Sequence, residues 1–185
     1  MFDVIDGFYS KENLGLTCLN FINSHFHSTY QSEANYYGGD RNLAYPTHET
    51  KLFHIDTDAY KIFVDTFEKK TNVKILKCKT FFRKTKRKEL TNSSSWNQYK
   101  PHTDGSSCDV AGLIYFNSYH IKDGTYLFNS KEEYEPTAII GAKPNRCVFY
   151  KSNTWHCPSM EQKVEERWTQ PFFIIYKKET LSNEL

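Results

Sequence analysis

The stretch that decides how this chain is read is Trp96-Asn97-Gln98-Tyr99-Lys100-Pro101-His102-Thr103-Asp104. Its second half is expected to be a strand, and on a strand residues two apart project from the same face. His102 and Asp104 would then point into one space. An imidazole and a carboxylate so placed supply two of the three ligands of a 2-His-1-carboxylate facial triad. Such a triad holds Fe(II) from one side and leaves the other open for a cosubstrate and O2. The third ligand has to be a later histidine, and His156 is the candidate.

His-x-Asp alone is a weak signal. The chain holds 7 histidines in 185 residues, and chance produces such a triplet in about one sequence of this make-up in three. A second triplet, His54-Ile55-Asp56, is in fact present. Downstream context separates the two. His102 is followed by His156 and then by a basic residue, Arg167. For His54 the histidine at similar spacing is His102 itself, and no Lys or Arg lies between Lys100 and Lys122. Asp56 also stands where a helix is expected to begin, a place that favours an acid. The triplet at 54–56 is therefore rejected.

Outward from this stretch, the length suits one domain, 1–185, with a core of useful size. Aromatic residues make up 16% of the chain, yet mean hydropathy is −0.69. No apolar run approaches the ~20 residues that a bilayer helix needs, so no membrane association is expected. The first residues lack the basic and apolar regions of a signal peptide. Cys18, Cys78, Cys108, Cys147 and Cys157 form neither a Cys-x-x-Cys pair nor a zinc pattern, which suits reduced thiols and a cytoplasmic location. A net charge of +2 argues neither for nor against a nucleic-acid partner.

Periodicity places the elements. A short strand or entry loop at 4–8 precedes a helix from Ser10, its N-cap, to about Phe26, with Leu14, Cys18, Phe21 and Ile22 at helical spacing. Residues 30–50 read as loop with a strand around Tyr36 and Tyr37. A second helix over 57–71 is capped by Thr57 or Asp58 and carries the stripe Tyr60, Phe63, Val64 and Phe67. From Val73 the period becomes two, with Leu76, Cys78, Thr80 and Phe82 on one face. The basic run 83–88 and the polar run 91–95 are expected to form a hairpin loop near the site, able to hold an extended or acidic substrate. Strands follow at 110–117, 124–129, 137–140, 147–151 and 167–177, separated by Gly, Asn, Asp or Pro. The fold class is α+β, mainly β: a jelly roll over 73–177 with helical support from 1–72 packed on one outer face.

Several of these pieces occur in a familiar order: 99–104, Leu113-Ile114-Tyr115-Phe116-Asn117, Gly124-Thr125-Tyr126-Leu127-Phe128, His156 and Arg167-Trp168. Over roughly 73–177 the chain resembles the Fe(II)/2-oxoglutarate-dependent dioxygenases of the prolyl 4-hydroxylase-like group, whose fold is a double-stranded β-helix. The resemblance implies that His102, Asp104 and His156 are metal ligands and catalytic. It implies that Arg167 binds the distal carboxylate of 2-oxoglutarate, with Tyr115 beside it, and that Tyr99 lines the substrate side. Elementary chemistry agrees about Arg167, since a guanidinium meets a carboxylate through two parallel bonds. Thr169, two residues on, shares its face and can add a third. Trp96 and Phe173 are the further substrate-side candidates; Phe173 stands where prolyl enzymes usually carry Trp.

The resemblance implies a hydroxylase of an unactivated C–H that uses Fe(II), 2-oxoglutarate and O2 and allows ascorbate. Its expected substrate is a peptide or protein residue, with proline first. Two alternatives stay open: a non-catalytic jelly-roll binding module that uses the basic 83–88 loop, and an oxygenase of a small molecule or nucleobase.

Overall fold

The computed structural model describes residues 2–28, 47–92, 101–159 and 161–177. Two antiparallel sheets face each other. The larger runs β1-β9-β6-β11-β5-β3-β2, with β4 also paired to β11, and the smaller runs β10-β7-β8. In chain order the elements are β1 (Phe2–Asp6), α1 (Lys11–Asn23), β2 (His27–Ser28), β3 (His48–Glu49), α2 (Asp58–Thr71), β4 (Ile75–Thr80) and β5 (Arg83–Lys86). Then come α3 (Arg87–Asn92), β6 (Val110–Tyr115), β7 (Thr125–Phe128), β8 (Ala138–Ile140), β9 (Arg146–Lys151), β10 (Trp155–Pro158) and β11 (Glu166–Tyr176). The expected jelly-roll sandwich is present, although the sheets do not close into a barrel. Among the described residues no helix is long and apolar enough to cross a membrane.

β11 organises both faces of the large sheet. Trp168, Phe172 and Ile174 belong to the helix-side core with Phe8, Phe21, Phe63, Phe67 and Phe82. The alternate residues Arg167, Thr169, Pro171 and Phe173 turn toward the small sheet. The helix-side core is dense in rings, with Phe63 4.9 Å from Phe172 and Phe21 4.9 Å from Phe82 between centroids. Burial of each such side chain contributes about 1.5–3 kcal/mol. Pro171 is tolerated in mid-strand because β11 changes partner there, from β5 to β4. Its carbonyl still accepts the Thr80 hydroxyl at 2.8 Å.

The helices rest on the caps expected of them. The Ser10 hydroxyl accepts the Asn13 N–H at 3.1 Å and that of Thr57 accepts the Tyr60 N–H at 3.4 Å. α2 closes at Asn72, in the left-handed region at φ 56°. α1 is shorter than expected and ends at Asn23, because the Ser24 hydroxyl returns to the Asn20 carbonyl at 2.6 Å and its backbone is extended. His25 and His27 thus lie past the helix, and His27 opens β2. The 1–72 segment, expected as helical support, also supplies β1, which pairs along β9 at the sheet edge.

Three further expectations need correction. The basic run 83–88 is not a hairpin loop. Arg83–Lys86 is a strand between β11 and β3, and Arg87 opens α3. Its charges are taken up by the fold: Arg83 Nε reaches Glu49 at 2.6 Å, and Lys84 Nζ lies 4.2 Å from the Phe26 ring centre. Residues 101–104 do not form a ladder strand; His102 makes one isolated bridge, to His156. Lastly β10, which carries His156, was missed. The expected strand at Tyr36 and Tyr37, and Trp96 and Tyr99 with it, lie outside the described residues.

Candidate metal centre

Two pieces of backbone meet to build the centre. The His102 N–H donates to the His156 carbonyl and the His156 N–H to that of His102, each at 2.9 Å. The imidazole rings come to 4.4 Å between centroids. Two residues on, the Asp104 N–H donates to the Ser152 carbonyl at 2.9 Å, which anchors the carboxylate side of the loop. Asp104 has φ −81° and ψ 0°. It thus reaches the centre by turning, not by the alternation of a strand.

The donor atoms of His102, Asp104 and His156 lie within 4.8 Å of one another, and this is the one such cluster of His, Cys, Asp or Glu among the described residues. Two ring nitrogens and one carboxylate oxygen at this separation fit a facially bound divalent metal. His156 Nδ1 lies 3.0 Å from the Thr154 carbonyl. A carbonyl only accepts, so the ring proton belongs on Nδ1 and Nε2 presents a lone pair. Burial holds the His156 pKa down to about 4, which keeps the imidazole neutral. Burial raises the Asp104 carboxyl, while the charges of His102 and Arg83 work against that rise. The rejected pair, His54 and Asp56, is a local surface contact of 3.1 Å with both side chains about three-quarters exposed.

Deeper between the sheets is a cluster of buried polar side chains. Arg167 is 5% exposed, and its Nη1 donates to the Asp123 carbonyl at 3.0 Å. The Asp123 carboxylate is turned away, to the Ser118 hydroxyl and the Lys163 N–H. Thr169 is buried on the same face of β11. The Tyr115 hydroxyl bridges the sheets to Thr125 Oγ1 at 2.7 Å. β5 brings in Thr85, which is paired with Arg167 in register and is fully buried, with an Oγ1 that has no hydrogen bond. Gln162 Nε2 donates to the Thr85 carbonyl at 2.9 Å, and its Oε1 is buried without a bond as well. Beside the buried guanidinium the Thr85 hydroxyl can donate to an anionic guest, whereas Gln162 Oε1 only accepts and suits a donor. Thr85 and Gln162 escaped the sequence reading. The one available signal was that Thr85 falls, at a period of two, on the same face as Arg83. Phe173 faces the same side farther along β11, and its ring is stacked against Phe81 at 6.5 Å.

The first approach of the small sheet to this cluster depends on Gly124. A Cβ there would overlap the Ile140 carbonyl across the β7–β8 pair, so glycine serves a close backbone approach.

Residues 114–167 match a protein family described as a family of unknown function, DUF6445. The match contains Tyr115, His156 and Arg167. No curated protein matches the chain in sequence. By structure the chain is similar to a prolyl 4-hydroxylase from Pseudomonas putida, at 10% identity and a TM-score of 0.54 over 96% of this chain and 93% of that one. It is also similar to a prolyl hydroxylase from Trichoplax adhaerens in complex with a hypoxia-inducible-factor peptide fragment, at 14% identity and a TM-score of 0.58 over 94% and 83%. HygX from Streptomyces hygroscopicus, with nickel and 2-oxoglutarate bound, is similar at 9% identity and 0.58 over 94% and 82%. What is shared at these identities is the fold: this chain has the jelly roll of the 2-oxoglutarate- and Fe(II)-dependent oxygenases, in the form seen in the prolyl 4-hydroxylases.

Proposed function

We propose that this chain is an Fe(II)- and 2-oxoglutarate-dependent dioxygenase that hydroxylates an unactivated C–H of a peptidyl residue, with proline the leading candidate. The observation that carries it is the convergence of His102, Asp104 and His156 within 4.8 Å, on the inter-sheet side that also buries Arg167. A fold alone would be a weaker argument, since one fold hosts many functions.

His102, Asp104 and His156 would hold Fe(II). Arg167, Thr169, Tyr115 and Thr85 would hold 2-oxoglutarate. Bound there with O2, Fe(II) and 2-oxoglutarate would supply the oxidising chemistry that an unactivated C–H requires. The protein's part is positioning and exclusion of water. The Thr154 carbonyl fixes the His156 tautomer. Arg167 offers a planar fork to a carboxylate in a site where little water competes. Ala111, Leu127 and Val148 form the apolar wall of that side. Ascorbate is expected to sustain turnover by keeping the metal reduced. The five thiols form no disulfide and suit a reducing compartment such as the cytoplasm.

The peptide reading draws on the Trichoplax relative, whose structure contains a peptide. The test is anaerobic titration with Fe(II) and 2-oxoglutarate, followed by succinate formation on a panel of proline-centred peptides. Absence of metal and keto-acid binding would leave a non-catalytic jelly-roll module. Turnover confined to a small molecule or nucleobase would overturn the peptide part alone.

A further inference from the structure

A cavity of about 370 Å³ is lined by Lys77, Lys79, Ser107, Phe173 and Ile175. Its walls follow from register. Lys79 is paired with Phe173 and Lys77 with Ile175, so the four side chains share one face of the β4–β11 pair. Ser107 ends the turn Gly105–Ser107 that begins directly after Asp104. The cavity therefore starts at the metal-binding loop. On β4's side the wall continues as Phe81, which is stacked on Phe173.

The charge in this cavity has one sign. Both lysines are exposed, and no ion pair of either is found among the described residues. Among the described residues no acidic side chain lines the cavity. The backbone positions of two lysines two residues apart on a strand are ~6.5–7 Å from each other, the same repeat as alternate residues of an extended peptide. Between and beside them lie the apolar surfaces of Phe173 and Ile175.

We propose that this groove selects an extended acidic peptide, with carboxylates at alternate positions on Lys77 and Lys79 and an apolar side chain against Phe173. The inference rests on the peptide-oxygenase reading above and names its substrate class. It makes Lys77 and Lys79 determinants of specificity, with no part in holding metal or cosubstrate.

The test uses the full chain with Mn(II) in place of iron. Fluorescein-labelled nine-residue peptides carry a central proline and either Asp, Asn or Lys at alternate flanking positions, and binding is read by fluorescence anisotropy. The Asp peptide should bind roughly five- to tenfold more tightly than the Asn peptide, as two partly exposed ion pairs allow. The preference should shrink as salt is raised. Lys77→Glu/Lys79→Glu, a double change of exposed residues, should reverse it toward the Lys peptide with Mn(II) and 2-oxoglutarate affinities unchanged. Equal binding of the Asp and Asn peptides overturns the proposal. So does a preference that survives the charge reversal, or tighter binding of a single-stranded oligonucleotide than of the Asp peptide. If the acidic preference holds while neither metal nor 2-oxoglutarate binds, the groove stands and the oxygenase reading falls.

Discussion

His102 and His156 exchange both of their backbone hydrogen bonds, at 2.9 Å in each direction. This single bridge brings two ligands from distant parts of the chain into one centre. The loop carrying Asp104 is tied down separately, to Ser152. Ligand geometry here depends on a few bonds at the end of the small sheet and not on a long ladder.

Asp104→Ala and His156→Ala should each lose most Fe(II) affinity, since two remaining ligands hold a divalent metal poorly. The fold should persist, because neither side chain belongs to either apolar core. His54→Ala should bind iron as the wild type does. Anaerobic metal titration with circular dichroism as a folding control checks all three; iron loss in the His54 variant alone would move the site to the rejected triplet.

Arg167→Ala should cut 2-oxoglutarate affinity by at least a hundredfold. Leaving a desolvated carboxylate without its charge partner costs about 3–5 kcal/mol. Iron binding should change little. Thr85→Val, which removes one buried hydroxyl, should cost about 1 kcal/mol of 2-oxoglutarate binding. Calorimetry of the Mn(II)-loaded variants measures both, and unchanged affinity in Arg167→Ala would refute the anchor.

Gly124→Ala should destabilise the fold by at least about 2 kcal/mol, because the new methyl meets backbone that cannot move aside. It should also weaken 2-oxoglutarate binding, as Arg167 Nη1 donates to the neighbouring Asp123 carbonyl. Denaturant unfolding and the same calorimetry report the two effects.

Asp6 ties β1 to the strand behind it. The Arg146 guanidinium and then the Lys143 ammonium hold its carboxyl well below the usual carboxylate range. A depressed carboxylate adds stability above its unfolded pKa of about 3.9 and loses it as pH falls through the folded value. Asp6→Asn should therefore lower stability near neutral pH. The carboxylate is 42% exposed, so the loss should be about 1 kcal/mol or less. The gap between wild type and variant should close as pH drops below about 4. Thermal unfolding across pH 3–7 follows it, and a gap that widens in acid would contradict the assignment.

Much of this was legible in the sequence, because several signals are local. Ser10 and Thr57 cap their helices through hydroxyls that act within three residues. The alternation of Arg167 and Thr169 with Trp168 and Gln170 already separates the site face from the core face. The three candidate ligands could be named because few residue types bind Fe(II), and their order along the chain rejected the second triplet.

Other features had no local signature. β10 is four residues, Trp-His-Cys-Pro, too short to show a period, and it exists because β7 pairs with it. The run 83–88 reads as a loop in the sequence because adjacent cations without visible partners need water. Their partners, Glu49 and the rings of Phe21, Phe26 and Trp168, come from other parts of the chain. Thr85 gains its place beside Arg167 only through the β5–β11 register. By itself the sequence nominated the residues for the chemistry and, on β11, the face that Arg167 and Thr169 occupy, since these follow from side-chain type and a period of two. The tertiary structure alone decided how they meet, because the bonds that bring His102 to His156 and Thr85 to Arg167 join backbone groups that no local pattern relates.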